Sequence, residues 1–109
     1  MKLIRFGAAG AEKPGLVDAS GVVRDLSGHV KDITGETLAP ASLDKLRKID
    51  PKSLPEAPKG ARIGSPINAN SVRNFIAIGL NYADHAAETG APIPAEPIIF
   101  NKLANCIVG

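Results

Sequence analysis

The sequence predicts an α+β protein that is mainly β, with a small N-terminal hairpin domain followed by the start of a second β-rich region. Two observations lead to this prediction. Short runs of strand-forming residues alternate with Gly, Pro and Ser, and only two stretches have the spacing or propensity of a helix. Of the 109 residues, 44% are hydrophobic but only 4% aromatic, which is typical of a globular chain with an aliphatic core.

The N-terminal region has the pattern of three short antiparallel strands. Residues 3–6 are rich in strand formers, and the runs 16–19 and 22–26 flank the pair Ser20 and Gly21. Gly21 can adopt a positive φ at little cost, and Ser20 tolerates a tight bend. The sequence therefore predicts a hairpin at this pair.

A short amphipathic helix is predicted after the hairpin. Ser42 precedes a segment in which Leu43, Leu46 and Ile49 recur every third residue. Pro51 follows directly and cannot continue a helix. We expect the helix to begin after Ser42 and to end before Pro51.

A proline-rich stretch divides the chain. Residues 51–70 contain four prolines and two glycines, a composition that favours an extended connector over a regular element. We therefore predict a small domain over residues 1–50, a connector over 51–70 and the start of a second domain over 71–109.

The second domain is predicted to open with a strand, a helix and another strand. Residues 75–78 form a continuous apolar run that favours a buried strand. Residues 82–89 lack Pro and Gly, and Gly90 follows where helices often end in a left-handed cap. After three more prolines, residues 98–100 form a second apolar run, which predicts the second strand.

Composition and charge exclude several classes of protein. The net charge is +2, and the basic residues are scattered, so no nucleic-acid partner is expected. No apolar run approaches the length of a membrane span, and Arg5 interrupts the first run before it resembles a signal peptide. The single cysteine, Cys106, is typical of a reducing compartment, so we expect a cytoplasmic protein.

Two weaker motifs have simple structural explanations. Residues 7–10, Gly-Ala-Ala-Gly, faintly resemble a phosphate loop, but no helix N-terminus or P-loop lysine follows them. His29 has no second ligand at metal spacing, so we interpret it as a surface residue.

His85 and Glu88 are the candidate catalytic residues. In a helix over residues 82–89 they would lie on one face, three residues apart and within hydrogen-bonding reach. A carboxylate that accepts from one imidazole nitrogen lets the other nitrogen act as a base near neutral pH. On spacing alone, an ordinary solvent-facing pair is the more frequent explanation.

The wider pattern around this pair resembles the fumarylacetoacetate hydrolase family. The stretches IGLNYADHAAE at 78–88 and EPIIFNK at 96–102 are similar to the family patterns G-x-N-Y-x-x-H-x-x-E and P-x-x-F-x-K. The N-terminal stretches MKLIRFG at 1–7 and EKPGL at 12–16 resemble the leading domain of bacterial members. Those members are commonly described as 2,4-diketo-3-deoxy-fuconate hydrolases or ureidoglycolate lyases.

The resemblance implies a Mg²⁺- or Mn²⁺-dependent enzyme that cleaves a C–C bond of a small 2-oxo acid. His85 would be the general base that activates water, and Glu88 would orient it. Lys102 matches a family lysine that would contact a substrate carboxylate, although an exposed lysine after an edge strand explains it equally well. Asn81 and Tyr82 would shape the turn before the helix. The family also implies a homodimer.

The family's metal ligands have no counterpart in this sequence. They form a Glu-x-Glu pair and a later Asp, and none of the five glutamates here stands in such a pair. We therefore expect the start of an incomplete family-type β fold, with metal ligands outside these residues and no activity in the 109-residue chain alone. The alternative is a non-enzymatic truncated module that acts as a binding or oligomerisation domain.

Overall fold

A computed structural model describes residues 1–109. It contains two antiparallel β-sheets, two α-helices and three short 3₁₀ turns, with more residues in strands than in α-helices. The predicted α+β class is therefore confirmed. The chain forms two compact units, which we call the first unit (Met1–Val72 with Ile107–Gly109) and the second unit (Arg73–Cys106).

The first unit is built on the three predicted strands. Strand β1 is Lys2–Phe6, β2 is Lys13–Val17 and β3 is Val23–Asp25, paired in the order β1-β2-β3. Strand β2 begins three residues earlier than its apolar run, because all of Lys13–Val17 pairs with β1. Gly15 allows this pairing, since a Cβ at that position would lie about 2.9 Å from the Phe6 ring.

Asp18 organises the predicted hairpin turn. Gly21 adopts the expected positive φ of 84°. The Asp18 carboxylate accepts hydrogen bonds from the Ser20 hydroxyl and from the backbone N–H groups of Ser20 and Val22. Together with the Arg24 guanidinium, these donors hold the pKa of Asp18 well below its usual value, although partial burial opposes the shift.

The first helix begins earlier than predicted. Helix α1 is Pro40–Arg47, so Ser42 lies inside the helix and is not its cap. Proline suits the first helical position because its φ is already helical and its missing N–H would have had no partner there. The helix ends at Arg47, several residues before Pro51.

The core of the first unit is aliphatic, as predicted. Leu16 of β2, Leu46 of α1, Leu26 and Leu54 are buried together, and Leu26 is completely inaccessible to solvent. Burial of such side chains is the main stabilising contribution in a unit of this size.

Residues 51–70 contain the 3₁₀ turn Pro51–Ser53, and a second 3₁₀ turn, Ala69–Ser71, begins at their end. Glu56 and Ile63 form single β-bridges with Arg24 and Phe6 of the first sheet. The division into residues 1–50, 51–70 and 71–109 stays a prediction.

The second unit contains the other sheet and helix. Strand β4 is Phe75–Gly79, helix α2 is Ala83–Thr89 and strand β5 is Ile98–Lys102, which pairs antiparallel with β4. The prediction that β4 is buried is wrong, because the unit has no further layer to cover it. Neither α1 nor α2 combines the length and apolar character that a membrane-crossing helix needs.

Candidate functional site

A sharp turn joins β4 to α2 and places the helix that contains the predicted catalytic residues. Leu80 follows the last residue of β4 and has a φ of 45°, the only positive φ of a non-glycine residue in the chain. A branched side chain in this conformation is strained, and such strain is often found near functional sites. The family resemblance implies that Asn81 and Tyr82 shape this turn, but the strained residue is Leu80.

Helix α2 begins one residue later than predicted and has the predicted left-handed end. Tyr82 flanks its first residue, and Gly90 closes it with a φ of 67°. Ala86 is its single buried residue. With so small a buried face, α2 has little packing to hold it, and short helices gain most of their stability from packing.

His85 and Glu88 both face solvent on α2. No hydrogen bond or ion pair joins their side chains, so the hydrogen-bonded pair expected from their spacing is not formed in this structure. His85 makes hydrogen bonds through its backbone: its N–H donates to the Asp84 carboxylate, and its carbonyl accepts from the Thr89 hydroxyl. The assignment of the two residues as base and orienting partner stays a prediction.

Lys102 lies at the end of β5 and is exposed. In the antiparallel pair it stands opposite Phe75, the first residue of β4, whereas the chain leaves β4 for α2 after Gly79 at the other end. Five strand residues separate these ends by about 13 Å. No hydrogen bond or ion pair connects Lys102 to His85 or Glu88.

A shallow cleft of about 220 Å³ adjoins the β4–α2 turn. Its walls are the end of β4, Leu80 and Asn81 on one side and residues 93–97 on the other. His85, Glu88 and Lys102 do not line it. Within the second unit, these residues therefore do not form an enclosed site.

The side chains of this chain do not form a metal cage. No group of three or more His, Cys, Asp or Glu residues lies close enough together to hold a metal ion. Magnesium and manganese need several oxygen ligands. The residues present therefore do not fit the Mg²⁺ or Mn²⁺ site that the family resemblance implies.

The most extensive polar network lies in the first unit and was not predicted from the sequence. Arg5 of β1 is 8% exposed, and its guanidinium donates to both carboxylate oxygens of Asp32, at 2.6 and 3.2 Å. The Asn68 amide donates to the same carboxylate at 2.7 Å. Glu12 lies 3.6 Å from Arg5 and 3.0 Å from Arg62. An arginine among the apolar residues Leu3, Ile4 and Phe6 was the available signal.

Both carboxyl groups of this network have lowered pKa values. Burial raises the pKa of Asp32, but hydrogen bonds from Arg5, the Ile33 backbone N–H and Asn68 outweigh burial and lower it. For Glu12, a backbone hydrogen bond and the Arg62 guanidinium lower the pKa. The network lines a cleft of about 480 Å³, but no buried polar side-chain atom in the chain lacks a partner. We therefore interpret it as structural.

Comparison with known proteins finds relatives that match the whole chain. A protein named "Putative hydrolase" from Burkholderia cenocepacia is 53% identical over 109 residues, and one of the same name from Burkholderia ambifaria is 52% identical. A similarly named protein from Burkholderia multivorans is 51% identical. The chain covers 38% of the length of each of these relatives. No protein-family model matches the chain.

Proposed function

We propose that this chain is the N-terminal part of a divalent-metal-dependent hydrolase or lyase of the fumarylacetoacetate hydrolase family. Its substrate would be a small 2-oxo acid, with a diketo acid as the typical case, and the reaction would break a C–C bond. The chain alone would be inactive. A homodimer and a cytoplasmic location are proposed on the resemblance and the composition.

The observation that carries this proposal is the order of elements over residues 75–102. The two motif stretches coincide with regular elements of the structure. The first runs from the end of β4 through Leu80 into α2, which contains His85 and Glu88, and the second contains β5, which ends at Lys102. His85 and Glu88, the proposed catalytic residues, lie on the exposed, lightly packed helix that follows the turn at Leu80. The full-length relatives that match this chain are named "Putative hydrolase", which supports this reaction class.

The proposed chemistry of the chain's own residues is proton transfer. Glu88 accepts a hydrogen bond from one imidazole nitrogen of His85, which fixes the tautomer and stabilises the charged ring. The other nitrogen removes a proton from water as the water oxygen attacks a substrate carbonyl carbon. The C–C bond then breaks, and the protonated His85 gives the proton it took from water to the departing carbon. The two side chains must close toward each other when substrate binds, because no hydrogen bond joins them in this structure.

We propose that the metal ligands lie in the part of the longer protein outside these residues, since no cluster of three or more potential ligands forms within this chain. A bound divalent cation would stabilise negative charge on the substrate oxygens. Lys102 is proposed to contact a substrate carboxylate, and its ammonium group is free of ion pairs within the chain.

One substitution with a matched control tests the role of His85. In the full-length protein, His85→Ala should lower kcat by roughly 10² to 10⁴ while leaving metal affinity nearly unchanged, as expected for a lost general base. His29→Ala, at the other exposed histidine, should change neither quantity. Loss of metal binding in His85→Ala would show that the residue has a different role. Metal-dependent turnover of a 2,4-diketo acid by the 109-residue chain would contradict its proposed inactivity.

A non-enzymatic binding or oligomerisation module is the second candidate. The exposed isoleucines of β4 and β5 favour it, because monomeric proteins rarely leave adjacent large apolar side chains in solvent. Sequencing the gene beyond codon 109 separates the two candidates. An open frame that encodes a Glu-x-Glu pair supports the enzyme, and a stop codon there supports the module.

A further inference from the structure

The sheet of the second unit is apolar on both faces. Ile76, Ile78 and Ile99 point to one face and are 63%, 42% and 67% exposed. On the opposite face, Ile98 and Phe100 are 46% and 44% exposed. Strands that are apolar on both faces are typical of the interior of a sheet covered on both sides.

Three side chains form one continuous patch, which we call the isoleucine face (Ile76, Ile78 and Ile99). Ile78 stands directly opposite Ile99 in the antiparallel register, and Ile76 is two residues from Ile78 on the same strand. Such neighbours contact each other on one face of a sheet. The patch is therefore a single apolar surface.

The two strands also have open edges. Each of β4 and β5 pairs only with the other, so each leaves one row of backbone N–H and C=O groups without a strand partner. A sheet of two strands is marginally stable in water, and its open edges readily accept a further strand. The sheet therefore has large exposed apolar side chains on both faces and one open edge on each strand.

The length of the relatives indicates what covers these surfaces. Because the chain spans 38% of their length, roughly three-fifths of each relative has no counterpart here. We propose that the isoleucine face and the open edges of β4 and β5 are the surface on which that remaining polypeptide packs. This inference rests on the proposal that the chain is part of a longer protein, and not on His85, Glu88 or a metal.

A second copy of the chain fits these surfaces less well. A symmetric contact between two copies uses the same patch on both, so it buries one face or pairs one edge of each sheet. The other face and edge would stay in solvent. A longer polypeptide in the same protein can cover both faces and extend both edges.

A chimera tests the proposal. In the full-length Burkholderia cenocepacia relative, the matched 109 residues are replaced by this chain, and amide hydrogen exchange is compared between the chimera and the 109-residue chain. We expect the amides of β4 and β5 to exchange at least tenfold more slowly in the chimera. Equal exchange in the two proteins would overturn the proposal.

A pair of substitutions separates the isoleucine face from general effects on folding. Ile99→Asp should lower the Tm of the chimera by roughly 5 to 15 °C, because the charge would be buried, and should leave the Tm of the 109-residue chain within about 1 °C. Leu38→Asp, at a first-unit leucine that is 39% exposed, should shift both proteins equally. An equal effect of Ile99→Asp in the two proteins would contradict the inference.

Two further measurements keep the test decisive. If the chimera does not fold, the remaining part of the relative is supplied as a separate polypeptide, and its failure to slow exchange in β4 and β5 overturns the proposal. A concentration-dependent dimer of the 109-residue chain that is lost in Ile99→Asp would show instead that a second copy covers the face. Slow exchange in a chimera without turnover would leave this inference standing and remove the proposed catalysis.

Discussion

The two units of this chain differ in how much of their apolar surface they bury by themselves. The first unit encloses an aliphatic core around the fully buried Leu26 and ties Arg5 to Asp32 by two hydrogen bonds. In the second unit Ala86 is the one buried residue, and the isoleucines of its sheet are exposed. Both units have regular strands and a helix, so secondary structure alone does not distinguish them.

This difference shows that a local sequence pattern predicts a strand or helix but does not show whether its apolar face is covered. A short strand or helix is stable when its apolar face is covered, and the first unit supplies that cover from its own residues. The second unit contains the elements but not the layer above them. We therefore expect substitutions of similar chemistry to have unequal effects in the two units.

The largest expected difference in stability is between alanine substitutions of a buried leucine and of an exposed isoleucine. Leu26→Ala should lower the free energy of unfolding of the first unit by about 2 to 5 kcal/mol, because it opens a cavity in a closed core. Ile99→Ala should change the stability of the same 109-residue chain by less than about 0.5 kcal/mol, since its side chain is 67% exposed. Urea unfolding followed by circular dichroism measures both. Equal losses would mean that the isoleucine face is already buried in solution.

A smaller difference in unfolding free energy is expected when a buried and an exposed ion pair are each broken. Asp32→Ala should cost roughly 3 kcal/mol, because it leaves the mostly buried Arg5 guanidinium without its partner. Asp44→Ala removes a pair with Arg47 in which both side chains are more than half exposed, and it should cost less than about 0.5 kcal/mol. The same urea titration compares the two variants. A small cost for Asp32→Ala would show that the network contributes little to the first unit.

The smallest expected effect is a pH dependence of the first unit. Folding lowers the pKa of Asp32 and of Glu12 below their ordinary values of 3.8 and 4.5. Their contribution to stability is therefore complete above those values and is lost as the pH falls through the lowered pKa values of the folded state. Unfolding free energies measured from pH 6 down to pH 2 should decrease in the acidic range. The double variant Glu12→Gln with Asp32→Asn should show a weaker decrease.

Much of the secondary structure follows from short stretches of sequence. The turn at Gly21, the cap at Gly90 and the strands around them have local causes, namely a residue that accepts positive φ and an apolar run of strand length. The start of α1 was misplaced because Pro40 and Ser42 are both acceptable near a helix start. A residue before proline favours extended backbone, as Ala39 does with a φ of −60° and a ψ of 144°, so the helix begins at Pro40.

The candidate site was predictable as a motif but not as a geometry. The spacing of His85 and Glu88 is a property of the sequence, and both residues lie on the predicted helix. Whether their side chains meet depends on what packs against α2. The strained turn at Leu80 had no sequence signal, because leucine seldom adopts a positive φ and does so here only through its surroundings.

The sequence by itself determined the α+β class, the presence of the strands and α-helices of both units, though not all of their bounds, and the motif on which the proposed chemistry rests, because each depends on residues that are near one another in the chain. Tertiary structure alone decided which side chains are buried. Arg5 donates hydrogen bonds to Asp32 and to the Ile67 carbonyl, which lie 27 and 62 residues away along the chain, whereas the isoleucines of β4 and β5 are exposed. Burial is decided by distant partners, and a local pattern shows only that a partner is needed.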